Sequence, residues 1–246
     1  MAAAIKLQRP AGRRHAARFL AEGPNLVEAA LRRGVVSEVF VTADAEVRFG
    51  SLIAGAPVHV VTDKAAKALS DTVTPVGLIA VCEIPDVALA DVLDGPKLVV
   101  VAVETSDPGN AGTLIRLADA MGADALILAG DSVDPYNAKC LRASAGSILG
   151  LSVVQVPDTL ELIAALRGAG LQVLATTLDG TTPLPSADLH RPTAWLFGSE
   201  AHGLPAEVAT AADTRVTIPM RGSAESLNVA AAAAICLYQS AQALSR

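Results

Sequence analysis

The chain has 246 residues, 52% of them hydrophobic but only 3% aromatic, and carries a formal net charge of −6. Mean hydropathy is +0.45, yet no apolar run approaches the roughly 18 residues of a membrane-spanning helix, and the acidic balance argues against a protein that coats nucleic acid indiscriminately. Cys82, Cys140 and Cys236 lie far apart with no C-x-x-C, as reduced core thiols in a cytosol would, and four scattered histidines offer no metal spacing, so neither disulfide nor metal is expected.

The charge is uneven along the chain. In residues 1–33, seven cations (Lys6, Arg9, Arg13, Arg14, Arg18, Arg32 and Arg33) stand against Glu22 and Glu28, leaving +5 in the head and therefore −11 in the remainder. A basic head on an acidic body is compatible with local phosphate contacts, with Arg13, Arg14 and Arg18 as candidates. On charge alone the same stretch reads as a solvated, partly frayed terminus. It has no apolar segment of the kind a secretion signal needs.

Leu26, Val27, Ala30 and Leu31 recur at helical spacing, with Pro24 at the start and Gly34 as the stop. VVSEVFV reads as a strand. A short helix near Glu46–Ala54, a strand PVHVV, a helix over Thr62–Leu69 and a strand VGLIAVCEI follow. This alternation makes residues 1–84 a small α/β domain. The acidic stretch that ends in Gly95-Pro96 reads as a linker, residues 85–96.

The second domain, residues 97–246, opens with KLVVVAV, a run apolar enough for a strand buried on both faces. SDPGNAG reads as a turn, Thr113–Met121 as a helix and ALILAG as the next strand. A helix near Asn137–Ala145 precedes a strand; Lys139 and Arg142 lie on it, either as phosphate contacts or as a solvated face. Then come a helix stopped by Gly170 and a strand ending at Thr176. Strand and helix alternate throughout, which predicts a mostly parallel sheet covered on both faces.

The stretch Trp195–Tyr238 concentrates the chemistry. Two apolar runs, WLF and VTI, each end at a loop rich in Gly, Pro and small polar residues. Ser226 and Asn228 then stand at the mouth of an Ala-rich helix as natural N-caps. Two strand ends and one helix start thus converge in about forty residues, where open α/β sheets bind ligands. The first strand is followed by DPGNAGTLIR, without G-x-G-x-x-G, and no G-x-x-x-x-G-K-[ST] occurs, which argues against dinucleotide and triphosphate sites. The polar residues at strand ends are Asn110, Arg116, Glu200, Ser226 and Asn228. They can bind a polar substrate and orient a hydroxyl, and they include no nucleophile paired with a histidine base.

Three segments together carry a resemblance: ETSDPGNAGTLIRLADAMGAD, GSEAHGL and IPMRGSAESLNVAAAAAICLY. In this order and spacing they resemble the three motifs of the SpoU/TrmH group of RNA 2′-O-ribose methyltransferases. RFLAEGPNLVEAAL and TPVGLIAV are similar to the group's accessory RNA-binding domain, which has an L30e-like fold. The resemblance covers nearly the whole chain. It implies a C-terminal parallel-sheet SPOUT domain with a trefoil knot, a homodimer, and S-adenosylmethionine held by Thr176, Gly198, Ile218, Met220 and Leu227. It also implies methyl transfer to a ribose hydroxyl in RNA, rRNA rather than tRNA because several rRNA enzymes of the group carry such an accessory domain. Asn110, Arg116, Glu200, Ser226 and Asn228 would carry the reaction. Arg116 is the base in the group's proposed mechanism; equally, since guanidinium stays protonated, it would clamp the target phosphate, which then takes the proton. A tRNA enzyme and a non-catalytic RNA-binding or ribosome-assembly protein with a degenerate donor site are the alternatives. The second motif commonly reads G-N-E-G, whereas here Ser199 and Ala201 flank Glu200.

Overall fold

The computed structural model describes residues 1–244. In chain order the elements are α1 (Ala2–Lys6), α2 (Pro10–Ala16), β1 (Arg18–Glu22), α3 (Pro24–Arg33), β2 (Val36–Thr42), α4 (Ala43–Phe49), β3 (Val58–Val61), α5 (Asp63–Leu69) and β4 (Leu78–Glu83). They continue with α6 (Leu89–Val92), β5 (Leu98–Val103), α7 (Pro108–Ala120), β6 (Ala125–Ala129), α8 (Ala138–Ser144), β7 (Ser152–Val156), α9 (Thr159–Gly168) and β8 (Gln172–Thr176). The last are β9 (Thr182–Pro183), β10 (Thr193–Phe197), α10 (Ala206–Ala211), β11 (Thr214–Thr217) and α11 (Val229–Leu244). None of these helices is long and apolar enough to cross a membrane.

The chain divides into two units: residues 1–86 with 134–150, and 87–133 with 151–246. Sequence patterning alone divides the chain into contiguous domains, with residues 134–150 in the second. By contacts that segment packs with the first unit, and residues 87–96, read as linker, pack with the second and carry the single turn α6.

The first unit holds a four-stranded sheet in the order β1-β4-β2-β3, with β4 antiparallel to both its neighbours and β2 parallel to β3. Ala4, Leu7, Phe40, Ala66, Leu69, Ile79 and Val81 form a core cluster there. The basic head is folded within it rather than frayed. Arg13 is only 3% exposed; its guanidinium donates to Asp134 Oδ2 at 2.6 and 2.8 Å and to the carbonyls of Leu7 and Gln8. Buried this deeply, with four of its five N–H donors committed, the Arg13 guanidinium is a structural clamp and is not presented to solvent as the expected phosphate contact would require. Around the clamp the Phe19 and Tyr136 rings pack tilted at 38° with centroids 4.9 Å apart, and Gly146 lies against Asn25 and Ala29 so closely that an added Cβ would meet the Ala29 methyl at 3.3 Å.

The second unit is built on a seven-stranded sheet in the order β7-β6-β5-β10-β8-β11-β9, every neighbouring pair parallel. Leu98–Val103, Ala125–Ala129 and Thr193–Phe197 are buried at every position, as strands covered on both faces must be. Leu162, Ile163 and Leu166 of α9 and Val208 of α10 join alternate strand residues in one core cluster. The other face is covered by α7 and α11, where the fully buried Trp195 donates from Nε1 to Ser240 Oγ at 2.9 Å. The expected parallel sheet with helices on both faces is therefore present. The strand order reverses direction between β5 and β10, which makes the carboxyl ends of the neighbouring strands the natural place for a ligand.

Candidate active site

Three loops leave the carboxyl ends of β8, β10 and β11 and enclose a cleft of about 630 Å³, the size of a cofactor pocket. Thr176, Gly198, Ile218, Met220 and Leu227, the five residues expected to hold a cofactor, all line it, as do Glu200 and Ser226. Thr176 closes β8 by donating its hydroxyl to the Leu196 carbonyl at 3.0 Å, so its side chain ties β8 to β10. Met220 and Leu227 are 37% and 40% exposed, leaving an apolar face open to a ligand.

Gly198 has a steric reason to lack a side chain. Ser199 and Gly203 exchange two backbone hydrogen bonds, which folds the loop back on itself. A Cβ on Gly198 would lie 2.1 Å from the Gly203 carbonyl carbon. The turn's left-handed residue is Gly203, at φ +68°, whereas Ala201 is not among the non-glycine residues with positive φ. The departure from the usual second motif therefore introduces no backbone strain at Ala201.

Asn228 caps α11: its Oδ1 accepts from the amides of Ala230 and Ala231, at 2.9 and 3.4 Å. The Nδ2 of the same side chain donates to Glu200 Oε1, and reaches Asn110 Oδ1 at 3.5 Å. Residues 110, 200 and 228, far apart in sequence, thus meet at one point. Asn110 lies in the first turn of α7, which begins at Pro108 and is capped by Asp107, five residues before the helix read from sequence. The DPGNAG stretch read as a turn is helix, because Asp107 supplies a cap and Pro108 a first-turn residue. Arg116 is on the exposed face of that helix, opposite the buried Leu114, Ile115 and Ala118, and among the described residues it makes no hydrogen bond or ion pair. Ser226 lines the cleft without joining the asparagine cluster.

The remaining expected phosphate contacts lie on the first unit. Arg14 is exposed; Arg18 is exposed and 3.8 Å from Glu83; Arg142 pairs with Asp71; Lys139 is exposed on α8. Sequence reasoning missed Thr177, Asp179 and Arg215 on the cleft wall, and α10 beneath it. Arg215 Nη1 donates to Asp179 Oδ2 at 2.8 Å. A signal is present, since Asp179-Gly180 lies in the loop just after β8, but no neighbouring residue in sequence indicates that Arg215 comes beside it. Among the described residues no group of His, Cys, Asp and Glu could hold a metal ion.

Comparison with known proteins gives the same picture. The profile of the SpoU rRNA Methylase family matches residues 97–238, and that of the MRM3-like substrate binding domain matches residues 3–80. The 23S rRNA (guanosine(2553)-2'-O)-methyltransferase RlmP of Bacillus subtilis is 35% identical over 89% of this chain and 87% of its own length. The AdoMet-bound rRNA methyltransferase of Sinorhizobium meliloti superposes with a TM-score of 0.87 at 30% identity, covering 98% of this chain and 93% of that one. The SpoU methyltransferase AviRb of Streptomyces viridochromogenes, in complex with AdoMet, does so with a TM-score of 0.84 at 30% identity, over 96% and 94%. A family profile spanning more than half of the chain, ordered motifs and a shared fold lead to one conclusion: this chain belongs to the SpoU rRNA methylase family.

Proposed function

We propose that this chain transfers a methyl group from S-adenosylmethionine to a ribose 2′-hydroxyl of RNA, with 23S rRNA as the substrate. The observation that carries the reading is the meeting of Asn110, Glu200 and Asn228 beside a cofactor-sized cleft, with Asn110 on the helix that also presents Arg116. The cleft suits the donor. Gly198 and Gly180 leave no room for a Cβ, Leu178, Ile218 and Leu227 offer apolar contact, and the strand-end backbone supplies polar groups.

When bound, the donor supplies an electrophilic methyl together with its own leaving group. The protein's share is orientation and proton removal. Asn228 is fixed by the amides it caps and by Glu200, and it in turn sets the position of Asn110. These three groups, with Ser226 at the cleft wall, orient the ribose. Arg116 offers a planar fork of N–H donors, so it clamps the target phosphate, and the phosphate accepts the hydroxyl proton.

The first unit, with exposed Arg14, Arg18, Lys139 and Arg142, captures the RNA. A trefoil knot in the second unit is supported by the tight approach at Gly180, where a Cβ would lie 2.6 Å from the Val216 carbonyl carbon of β11. Homodimer formation is supported by the apolar Ile235 and Tyr238, exposed on α11, and a cytoplasmic location by the buried thiols of Cys82 and Cys236. The test is ribose-methylation mapping of total RNA with and without the gene, alongside methyl transfer by purified protein to 23S rRNA and to tRNA. A site in 23S rRNA that loses its methyl is the expected result. Methylation of tRNA alone would reassign the substrate, and no transfer to any RNA would favour a non-catalytic RNA-binding protein.

A further inference from the structure

Two carboxylates line the cleft among the described residues, Asp179 and Glu200. Glu200 is committed to Asn228. Asp179 follows β8 in the loop that carries Gly180 across β11, and its side chain is 73% exposed. One of its oxygens accepts from Arg215 Nη1 at 2.8 Å. The Thr177 hydroxyl is close enough, with Arg215, to hold the Asp179 carboxyl below the usual carboxylate range, yet it stands outside good hydrogen-bond geometry. That hydroxyl is inaccessible to solvent and has no hydrogen-bond partner among the described residues. The loop is further fixed by the Thr217 hydroxyl, which donates to the Leu178 carbonyl at 3.3 Å, and by the Thr177 amide, which donates to the Val216 carbonyl at 3.0 Å.

The cleft wall thus presents an ionised carboxylate with unused acceptor positions, beside a guanidinium with further donors. A cationic ammonium is a poor match, because Arg215 already offsets the charge of Asp179 and would repel it. A vicinal diol is a good one: its hydroxyls donate to the carboxylate while accepting from the remaining N–H groups of Arg215. Resting on the donor reading above, we propose that Asp179, steadied by Arg215, is the residue that recognises the ribose diol of the methyl donor and so selects a ribonucleoside over a sugar lacking these hydroxyls.

The experiment is calorimetric and needs no turnover. S-adenosylhomocysteine and its 2′,3′-dideoxyribose analogue are titrated into the full-length protein, wild type and Asp179→Ala. Wild type is expected to bind the analogue about tenfold more weakly, as loss of hydrogen bonds to a charged group predicts. Asp179→Ala is expected to bind the parent compound about tenfold more weakly and to lose the discrimination, so that the two losses do not add. Asp179→Asn, which keeps the shape and one acceptor, should fall between; it carries the test if circular dichroism shows the alanine protein misfolded. Discrimination unchanged in both variants, or absent in wild type, overturns the assignment of Asp179. No binding of S-adenosylhomocysteine by wild type at high micromolar concentration overturns the donor reading itself.

Discussion

Arg116 is where structure and chemistry separate most cleanly. It is exposed and, among the described residues, makes no hydrogen bond or ion pair, so replacing it removes nothing that holds the fold together. Arg116→Ala should leave the melting temperature and the affinity for S-adenosylhomocysteine near wild type while abolishing methyl transfer in single-turnover assays. Arg116→Lys keeps the charge but loses the planar fork, so a phosphate clamp should fail nearly as badly. A lysine enzyme close to wild-type rate would refute the clamp. Asn228 is the opposite case, since it holds both a helix end and the cluster with Glu200 and Asn110. Asn228→Ala should cost about 1 kcal/mol of stability through the lost cap, read by denaturant titration, and should also slow turnover. Of the five residues expected to hold the donor, Gly198, Ile218, Met220 and Leu227 are legible from the two C-terminal motif segments and Thr176 from the end of its strand, and all five line the cleft. Arg13 departs from the expectation: its charge is plain in the sequence, but its burial depends on Asp134, 121 residues away, and no local pattern reports that.

At the scale of elements, the long apolar strands and the Ala-rich α11 announced themselves, because burial on both faces requires continuous runs of Val, Leu and Ala. The short pieces did not. Arg18–Glu22 has a period-two burial pattern of only five residues and begins and ends on charges, so its strand character comes from pairing with β4. α2 and α10 are seven and six residues long, below the length at which periodicity speaks. The loop from Gly198 to Leu204 yields a prediction of its own. Gly198→Ala must push the Ser199–Gly203 turn away from its closed form, because backbone atoms rather than a movable side chain occupy the space. Calorimetry should show donor affinity falling at least tenfold with little change in far-ultraviolet circular dichroism. Wild-type affinity would mean that the loop is not part of the donor site.

Over the whole molecule, titration behaviour and chain connectivity each make a claim. Burial pushes the thiols of Cys82 and Cys236, one in each unit, from the ordinary 9.0 up to about 12. A group that binds its proton more tightly when folded stabilises the fold fully below its unfolded pKa and loses that contribution as pH rises toward the folded value. Stability measured by denaturant titration should therefore decline above about pH 9, and Cys82→Ala with Cys236→Ala should flatten that decline even though each lowers stability at pH 7.

Connectivity sets the limit on dissection. The two units look separable in sequence, at the acidic stretch before Lys97, and a fragment beginning there would seem to be a complete catalytic domain. The contacts contradict such a cut. Residues 134–150 leave the second unit's sequence to pack with the first, where Asp134 receives the buried Arg13, Tyr136 meets Phe19, and Gly146 seats against α3. Deleting residues 1–96 strips all of these partners at once. Tyr136, Cys140, Leu141, Ile148 and Leu149, each less than 9% exposed in the intact chain, would lose cover, and Asp134 would lose its ion pair. Removing one side of a buried pair and a set of apolar contacts is strongly destabilising. The fragment 97–246 should consequently bind a hydrophobic dye and self-associate, and its segment 134–150 should be cut rapidly by protease, whereas the full-length chain resists at that segment. A second fragment in which 134–150 is replaced by a short Gly/Ser linker should be monodisperse and still bind S-adenosylhomocysteine, because the cleft draws only on residues 176–232. If the simple truncation proved as well folded as the full-length chain, segment 134–150 would not depend on the first unit, and the division of the molecule drawn from its contacts would fail.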